Sequence, residues 1–243
     1  MPEENPKRRK RRKFSSEEEK TRRESQRKAR VETWVPKTAL GKKVKNGEVT
    51  SLEEIFEQGL KILEPQIVDS LVEELQEKTM DLKKTARVIR SGRQFAYRAT
   101  VLVGNKNNFV GVGIANDKER LAAVQKAASQ ARLNIVLVRR GCGSWECVCG
   151  TQHSVPFKVT GRCGSVKISL RSAPKGVGLV IGDNAKDVLR FAGIKDVWAE
   201  TRGHTATRLN FVHAVIDALQ KTNRMKVSAS FEKKIDRIKT REG

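Results

Sequence analysis

The stretch "ARVIRSGRQFAYRATVLVGNKNNFVGVGIAND", residues 86–117, constrains this 243-residue chain more than any other. It alternates polar and apolar residues, is rich in β-branched side chains, and is cut by two turn signals, at Ser91-Gly92 and across Gly104 to Asn108. Alternation of this kind belongs to half-buried strands. It predicts three strands: one ending at Val88-Ile89, a second over Phe95–Val103 and a third over Phe109–Ile114. Asp117 is placed to cap a following helix from Lys118 to Leu133, with Leu121, Val124, Ala128 and Ala131 on one face. Upstream, Ser51 and Glu54 form a capping-box pattern ahead of Leu52, Ile55, Phe56 and Leu60. Pro65 can occupy the first position of another helix, and Ile67, Val68, Leu71, Val72 and Leu75 then recur at helical spacing. Helix, three antiparallel strands, helix is the α-β-β-β-α layout of a double-stranded-RNA-binding module.

A second α+β unit follows. "NIVLVRRG" reads as a strand after the helix, and strands are expected at Val155–Thr160 and Gly164–Leu170. Asp183 and Asn184 can cap a short helix closed by Gly193. "KDVWAETRG" reads as another strand. The last helix, "NFVHAVIDALQKT", should bury Phe211, Val212, Val215, Ile216 and Leu219.

The formal net charge is +22, a field suited to a polyanion rather than to a small metabolite. No run of about 18 apolar residues exists to span a bilayer, and no apolar segment follows the basic start as in a secretory signal. The charge is uneven. Residues 1–30 hold 13 Lys/Arg against 6 Asp/Glu, and residues 31–80 hold 6 against 10. Residues 81–220 then hold 23 against 9, so the basic body begins near residue 81. Aromatics are scarce, so phosphate contact should dominate over base stacking. Residues 1–30 read as a basic arm without structure of its own that orders on RNA. Residues 31–80 read as a helical extension whose Glu-rich face, including Glu53, Glu54, Glu57, Glu73, Glu74 and Glu77, packs or contacts protein. Residues 222–243 read as a basic tail.

"GCGSWECVCGTQHS", residues 141–154, holds three of the four cysteines. Cys142, Cys147, Cys149 and His153 offer the thiolates and imidazole that close a tetrahedral zinc site, and glycines let the chain wrap around it. Cys163 is an alternative ligand, or a small buried hydrophobe. The C-x4-C-x-C-x3-H spacing is not that of a zinc ribbon, so a disulfide from Cys142 or Cys147 to Cys163 and reduced thiols also stand. A catalytic zinc would need an open position and a nearby base; His153 begins no H-x-E, no P-C-x-x-C follows and Glu146 is the only near carboxylate, so a closed structural site fits better. "GVGIAN" lacks the third glycine and the context of a dinucleotide fingerprint, and no GxxxxGK[ST] loop occurs. His204 and His213 lie apart, with no matching nucleophile and acid, and His213 falls within the last helix.

Two blocks carry a resemblance. "RVIRSGRQFAYRATVLVGN...FVGVGIA", with the helix after it, resembles the N-terminal domain of the universal small-subunit ribosomal protein five family. "VPFKVTGRCGSVKISLRSAPKGVGLV", "LRFAGIKDVWAETRG" and "NFVHAVIDAL" resemble its C-terminal domain. The Cys/His insert and the long N-terminal extension look like the archaeal form. The resemblance implies an α+β chain with a double-stranded-RNA-binding-like domain over residues 81–140, the insert at 141–154 and a C-terminal α+β domain over 155–221. It implies a structural, non-enzymatic constituent of the small ribosomal subunit in the cytoplasm. Such members bind rRNA near the body–head junction, help line the path by which mRNA enters and influence decoding accuracy. Neighbours of the fourth and eighth small-subunit families are the implied protein partners. A free RNA-binding chaperone and a zinc-dependent nucleic-acid enzyme are the alternatives.

Arg87, Arg90, Arg93 and Arg98 surround the first turn. Alternation must split them between faces, and guanidinium forks suit phosphate. Ser91 and Gly92 let a backbone approach closely, and the family's loop here lies against rRNA. In the second turn Lys106 and the Asn amides are further candidates for RNA contact, although turns also select Asn for its φ tolerance.

Overall fold

The computed structural model describes residues 33–224 except 73, 148 and 150. The basic arm at 1–30 and most of the tail at 222–243 lie outside the described residues. Three short helices come first: α1 (Ala39–Lys45), α2 (Leu52–Glu57) and α3 (Pro65–Leu71). The Ser51 hydroxyl accepts from Glu54 N at the start of α2, and Pro65 sits in the first turn of α3, as their sequence signals require.

The helical extension ends earlier than residue 80, because β1 (Gln76–Ile89) is already a strand by Gln76. Leu75 is half-buried against the core, but in extended chain just ahead of that strand rather than on a helix. β1 pairs along its length with β2 (Gly92–Gly104), which pairs with β3 (Phe109–Asp117). α4 (Arg120–Leu133) then crosses this sheet, and β4 (Ile135–Leu137) adds a fourth strand beside β3. Asp117 does not cap α4. Its carboxylate accepts from Lys118 N and pairs with Lys126, and the cap position is Glu119. Leu121 faces solvent, and the buried face of α4 is instead Ala123, Ala127, Ala128, Ala131 and Arg132.

That alanine face follows from the strand beneath it. A Cβ on Gly111 would lie 2.3 Å from Ala131 O, and one on Gly113 would lie 2.1 Å from Ala127 O. Helix backbone therefore rests directly on strand backbone, and only small residues fit between. One long side chain on that face is accommodated by charge: Arg132 Nε donates to Asp69 at 2.9 Å, with both side chains buried, and its Nη2 reaches Glu77. This pair ties α3, α4 and β1 together. Trp34, Leu52, Ile55, Ile67 and Val68 meanwhile pack against Phe109 and Ile135, so α1 to α3 cover the β3–β4 end of the sheet.

The second sheet has the order β5-β6-β8-β7: β5 (Val159–Cys163), β6 (Val166–Ser172), β7 (Leu179–Val180) and β8 (Val197–Arg202). The strand expected at Val155–Thr160 begins only at Val159, and Val155 itself is fully buried in the core. α5 (Asp183–Phe191) and α6 (Arg208–Asn223) cover one face. Neither Asp183 nor Asn184 caps α5. Gly182 holds the cap position without a side-chain bond, and Asp183 is already helical. Phe211, Val212, Val215, Ile216 and Leu219 are all buried. Gly161 repeats the earlier device, since its Cβ would stand 2.0 Å from Ala214 O on α6.

The two sheets share a core. Leu102, Val110 and Val112 of the first join Val166, Ile168 and Leu170 of the second in one apolar cluster, completed by Val188 on α5 and by Ala214, Val215 and Leu219 on α6. The turn at Asn105–Asn108 locks the joint. Lys106 N donates to Phe191 O, and Arg140 donates to the side chains of Asn107 and Asn108 and to Gly193 O. Gly193 has φ 77°, and a Cβ there would lie 2.5 Å from Lys106 O and 2.6 Å from Asn107 O. Gly193→Ala should therefore cost about 4 kcal/mol through strain plus overpacking. Gly47→Ala, also at positive φ but in open space, should cost about 1 kcal/mol. Denaturant unfolding of the two variants measures the difference, and equal losses would contradict the tight joint.

Candidate metal centre and cationic ribbon

The insert closes on itself. Gly141 and Ser154 form a two-bond bridge at its base, which brings Cys142, Cys147, Cys149 and His153 together. Their ligand atoms all lie within 4.8 Å of one another. Cys147 Sγ stands 3.6 Å from His153 Nε2, and Cys149 Sγ stands 3.6 Å from Cys142 Sγ. The edges of a tetrahedral zinc site, from metal–sulfur and metal–nitrogen bond lengths, would measure about 3.5–3.8 Å. All four cysteines are free thiols, so no disulfide links the insert to Cys163. Cys163 stands apart on β5, half-buried against the shared core, and is not in the group.

His153 is oriented for ligation. Its Nδ1 lies 2.8 Å from Asp196 Oδ2, with both side chains buried, which turns Nε2 toward the sulfurs. A carboxylate behind a ligating imidazole fixes its tautomer and raises its basicity. The other oxygen of Asp196 accepts from Gly176 N at 3.1 Å and Gly178 N at 2.8 Å. Lys195 N and Asp196 N both donate to His153 O. One carboxylate thus holds the histidine and the glycine-rich loop before β7 at once. Sequence reasoning passed over Asp196, because it stands 43 residues beyond His153 and carries no local signal.

Burial pushes the Cys142 thiol up to about 12, and hydrogen bonds with Cys149 and Cys147 add to this. Burial also acts upward on Cys149, but hydrogen bonds from Thr151, Cys147 and Cys142 outweigh it and bring that thiol down to about 6. Thiols packed this closely cannot all ionise unaided, and a divalent cation would supply the missing positive charge. The cluster could hold a metal ion, and its four protein ligands leave no position for a reacting water.

The arginines lie elsewhere. β3 stops opposite Tyr97, so β1 and β2 continue from Thr85/Ala96 to Ile89/Gly92 as a two-stranded ribbon. Five pairs at strand rise carry it about 15 Å beyond the sheet. Arg90 and Ser91 form its two-residue tip, and Gly92 has φ 118° with nothing near it. Register places Arg87 and Arg98 on one face with Lys83, and Arg93 on the other with Val88 and Phe95. Arg87, Arg90 and Arg93 are exposed and Arg98 is half-buried. Lys84 Nζ sits 4.0 Å above the Phe95 ring, a cation–π contact that stiffens the ribbon. In the second turn the Lys106 side chain is exposed, while Asn105 Oδ1 accepts three backbone N–H groups and Asn107 and Asn108 bind Arg140. The Asn amides therefore serve the joint, and only Lys106 of that turn points a cation outward.

Two helix-on-sheet units fused through one core, with a closed Cys3His cluster and a protruding cationic ribbon, define a two-module α+β protein of the basic, ligand-holding rather than catalytic class. Comparison with known proteins agrees. The N-terminal domain of ribosomal protein S5 matches residues 75–139, and its C-terminal domain matches residues 161–231. The chain is 49% identical to the small ribosomal subunit protein uS5 of Methanocaldococcus jannaschii, over 87% of this chain and 97% of that one. It is 53% identical to that of Staphylothermus marinus over 80% of this chain and 91% of that one. With the uS5 of Methanobrevibacter smithii it shares 49% identity, over 84% and 96% of the two chains. The chain belongs to the ribosomal protein S5 family, with its similarity to archaeal members extending over most of its length.

Asp196→Asn removes the carboxylate from His153 without changing the ligands. It should weaken Co2+ binding about 10–100-fold, read from thiolate-to-cobalt absorption during titration of the full chain. An unchanged affinity would mean the cluster orients its histidine by other contacts.

Proposed function

We propose that this chain is a structural constituent of the small ribosomal subunit, in the cytoplasm, which binds rRNA through its cationic ribbon and stiffens its insert with zinc. The observation that carries the reading is the match to both S5 domains along a chain that aligns with nearly the whole of the uS5 proteins above. The chain is not an enzyme. It works by neutralising phosphate charge and by fitting shape, with no turnover. In this reading residues 81–140 and 155–221 are the two modules, and the 141–154 insert is the staple between them.

Arg87, Arg90, Ser91, Gly92, Arg93, Arg98 and Lys106 are the proposed rRNA contacts. The ribbon supports this assignment because it presents cations on both faces and a bare glycine at its tip. A-form RNA is recognised mainly by shape and by phosphate and 2′-hydroxyl contacts across its shallow minor groove, which exposed cations on a protruding ribbon can reach. Family resemblance adds the location: near the body–head junction, along the path by which mRNA enters, beside the fourth and eighth small-subunit families, where members affect decoding accuracy. Zinc is the proposed occupant of Cys142, Cys147, Cys149 and His153, because three sulfurs and one imidazole nitrogen suit it, lie within 4.8 Å of one another and include two separations of 3.6 Å that match a tetrahedral edge.

Two measurements test the reading. Tagged full-length chain should co-sediment with archaeal small subunits in moderate salt. Recovery only at the top of the gradient would favour a free RNA-binding chaperone instead. Arg87→Glu/Arg90→Glu should weaken binding to a small-subunit rRNA transcript and flatten its salt dependence by about one unit of slope per residue. Separately, metal analysis of purified chain should find one zinc per chain, lost with Cys147→Ser and kept with Cys163→Ser. Metal retained in the first variant would remove the Cys3His assignment.

A further inference from the structure

Among the described residues, one face of the second sheet is left uncovered. α5 and α6 pack on the face of Val159, Val166, Ile168, Leu170 and Val197. Register puts Arg162, Lys167, Arg171, Trp198, Glu200 and Arg202 on the opposite face, since Arg162 pairs Lys167, Lys167 pairs Arg202 and Arg171 pairs Trp198. Lys158 lies just ahead of β5, and Lys158, Arg162, Lys167, Glu200 and Arg202 rim a hollow of about 440 Å3, with Arg171 and Trp198 farther along the same face.

The charge of this face is one-sided. Among the described residues the strands set Arg162, Lys167, Arg171 and Arg202 there with one carboxylate, Glu200, with Lys158 just ahead of β5 and, at the edge, Asp217 paired with Lys221. Glu200 does not cancel them but organises them. Its Oε1 accepts from Nε and Nη2 of Arg202, and its Oε2 accepts from Arg171 Nη2. Each guanidinium has five N–H donors, so most remain for an outside acceptor. Arg202 beside Glu200 holds that carboxyl below its usual range, with Arg171 and Lys158 adding to the effect. Lys158 and Lys167 make no ion pair among the described residues. Trp198 is 39% exposed on this face, and Val180, its partner on β7, is 50% exposed. An indole lying open on a sheet among cations is a platform for a base rather than a core residue.

We infer that this open sheet face is a second RNA-binding surface, with Lys158, Arg162, Lys167 and Arg202 on phosphates and Trp198 stacked on one unpaired base. The inference rests on the ribosomal reading above but names a surface separate from the ribbon. Phosphates attract the cations, and only a single-stranded or bulged segment can offer a base to the indole. An acidic protein would satisfy the charges and leave the indole's platform unexplained.

The test uses the full chain with two probes, a small-subunit rRNA transcript and short oligouridine. Lys158→Glu/Lys167→Glu should lower affinity for the transcript at least tenfold and reduce its salt slope by about two. Trp198→Ala should lower affinity for oligouridine roughly tenfold, while Trp198→Phe, which keeps a stacking ring, should lose much less. Lys158, Lys167 and Trp198 are all exposed, and unchanged circular dichroism would show that the variants fold. If the face variants bind both probes like the parent while Arg87→Glu/Arg90→Glu binds weakly, this inference is overturned and the ribbon reading survives. If face and ribbon variants alike bind as the parent does, both readings fail. Cross-linking in assembled subunits should yield a nucleotide on the peptide holding Trp198, and a protein cross-link there in its place would overturn the RNA assignment.

Discussion

The structure depends on backbone lying against backbone at three glycines. Gly111 and Gly113 of β3 admit α4, and Gly161 of β5 admits α6. Facing them are alanines: Ala127 and Ala131 on one helix, Ala214 and Ala218 on the other. This close approach sets how far each helix stands from its sheet, and so how much apolar side chain can be buried alongside it. Larger residues then fill the flanks, as Leu219 and Val215 do beside Ala218. Both halves of the chain use the same device, although their topologies differ, one all-antiparallel and the other ending in a parallel β7–β8 pair.

Much of this was legible in the sequence, and the misses have physical causes. The strands of the first sheet could be read from β-branched runs cut by turn signals, although both of its faces are buried, Val101 and Val103 under α4 and Leu102, Val110 and Val112 in the shared core. The β1 start could not, because "QEKTM" is an edge segment with almost no apolar alternation, and its extended form comes from pairing with Leu102 to Gly104. Leu121 fits a helical stripe by spacing, but the glycines below select alanine on the buried side and turn the leucine outward. Asp117, Asp183 and Asn184 are capping residue types by composition, yet the chain enters α4 and α5 one or two residues away from where they could act.

The candidate site shows the same division. Four candidate ligands within twelve residues mark a group that could hold a metal ion, since short spacing limits how far apart their atoms can be. Asp196 is invisible at that scale. It becomes part of the site only because the turn after α5 returns the chain to His153, with Gly193 permitting the bend. The arginines of the ribbon were legible as a cluster, and alternation alone foretold that they divide between faces. The open face of the second sheet needed the register of three strands, since Arg162, Lys167 and Arg202 look unrelated until they are seen side by side.

Among the described residues, the ribbon formed by the ends of β1 and β2 has two unpaired edges, exposed Val88, Ile89 and Phe95, and no third strand to shield it. Uncovered strand edges of this kind invite other chains to add on, and cationic side chains along them oppose that. Lys83, Lys84, Arg87, Arg90 and Arg93 therefore act before any partner is met. Repulsion between two such ribbons opposes edge-to-edge pairing, so the charge that makes this hairpin conspicuous also disfavours its addition to a second copy of itself.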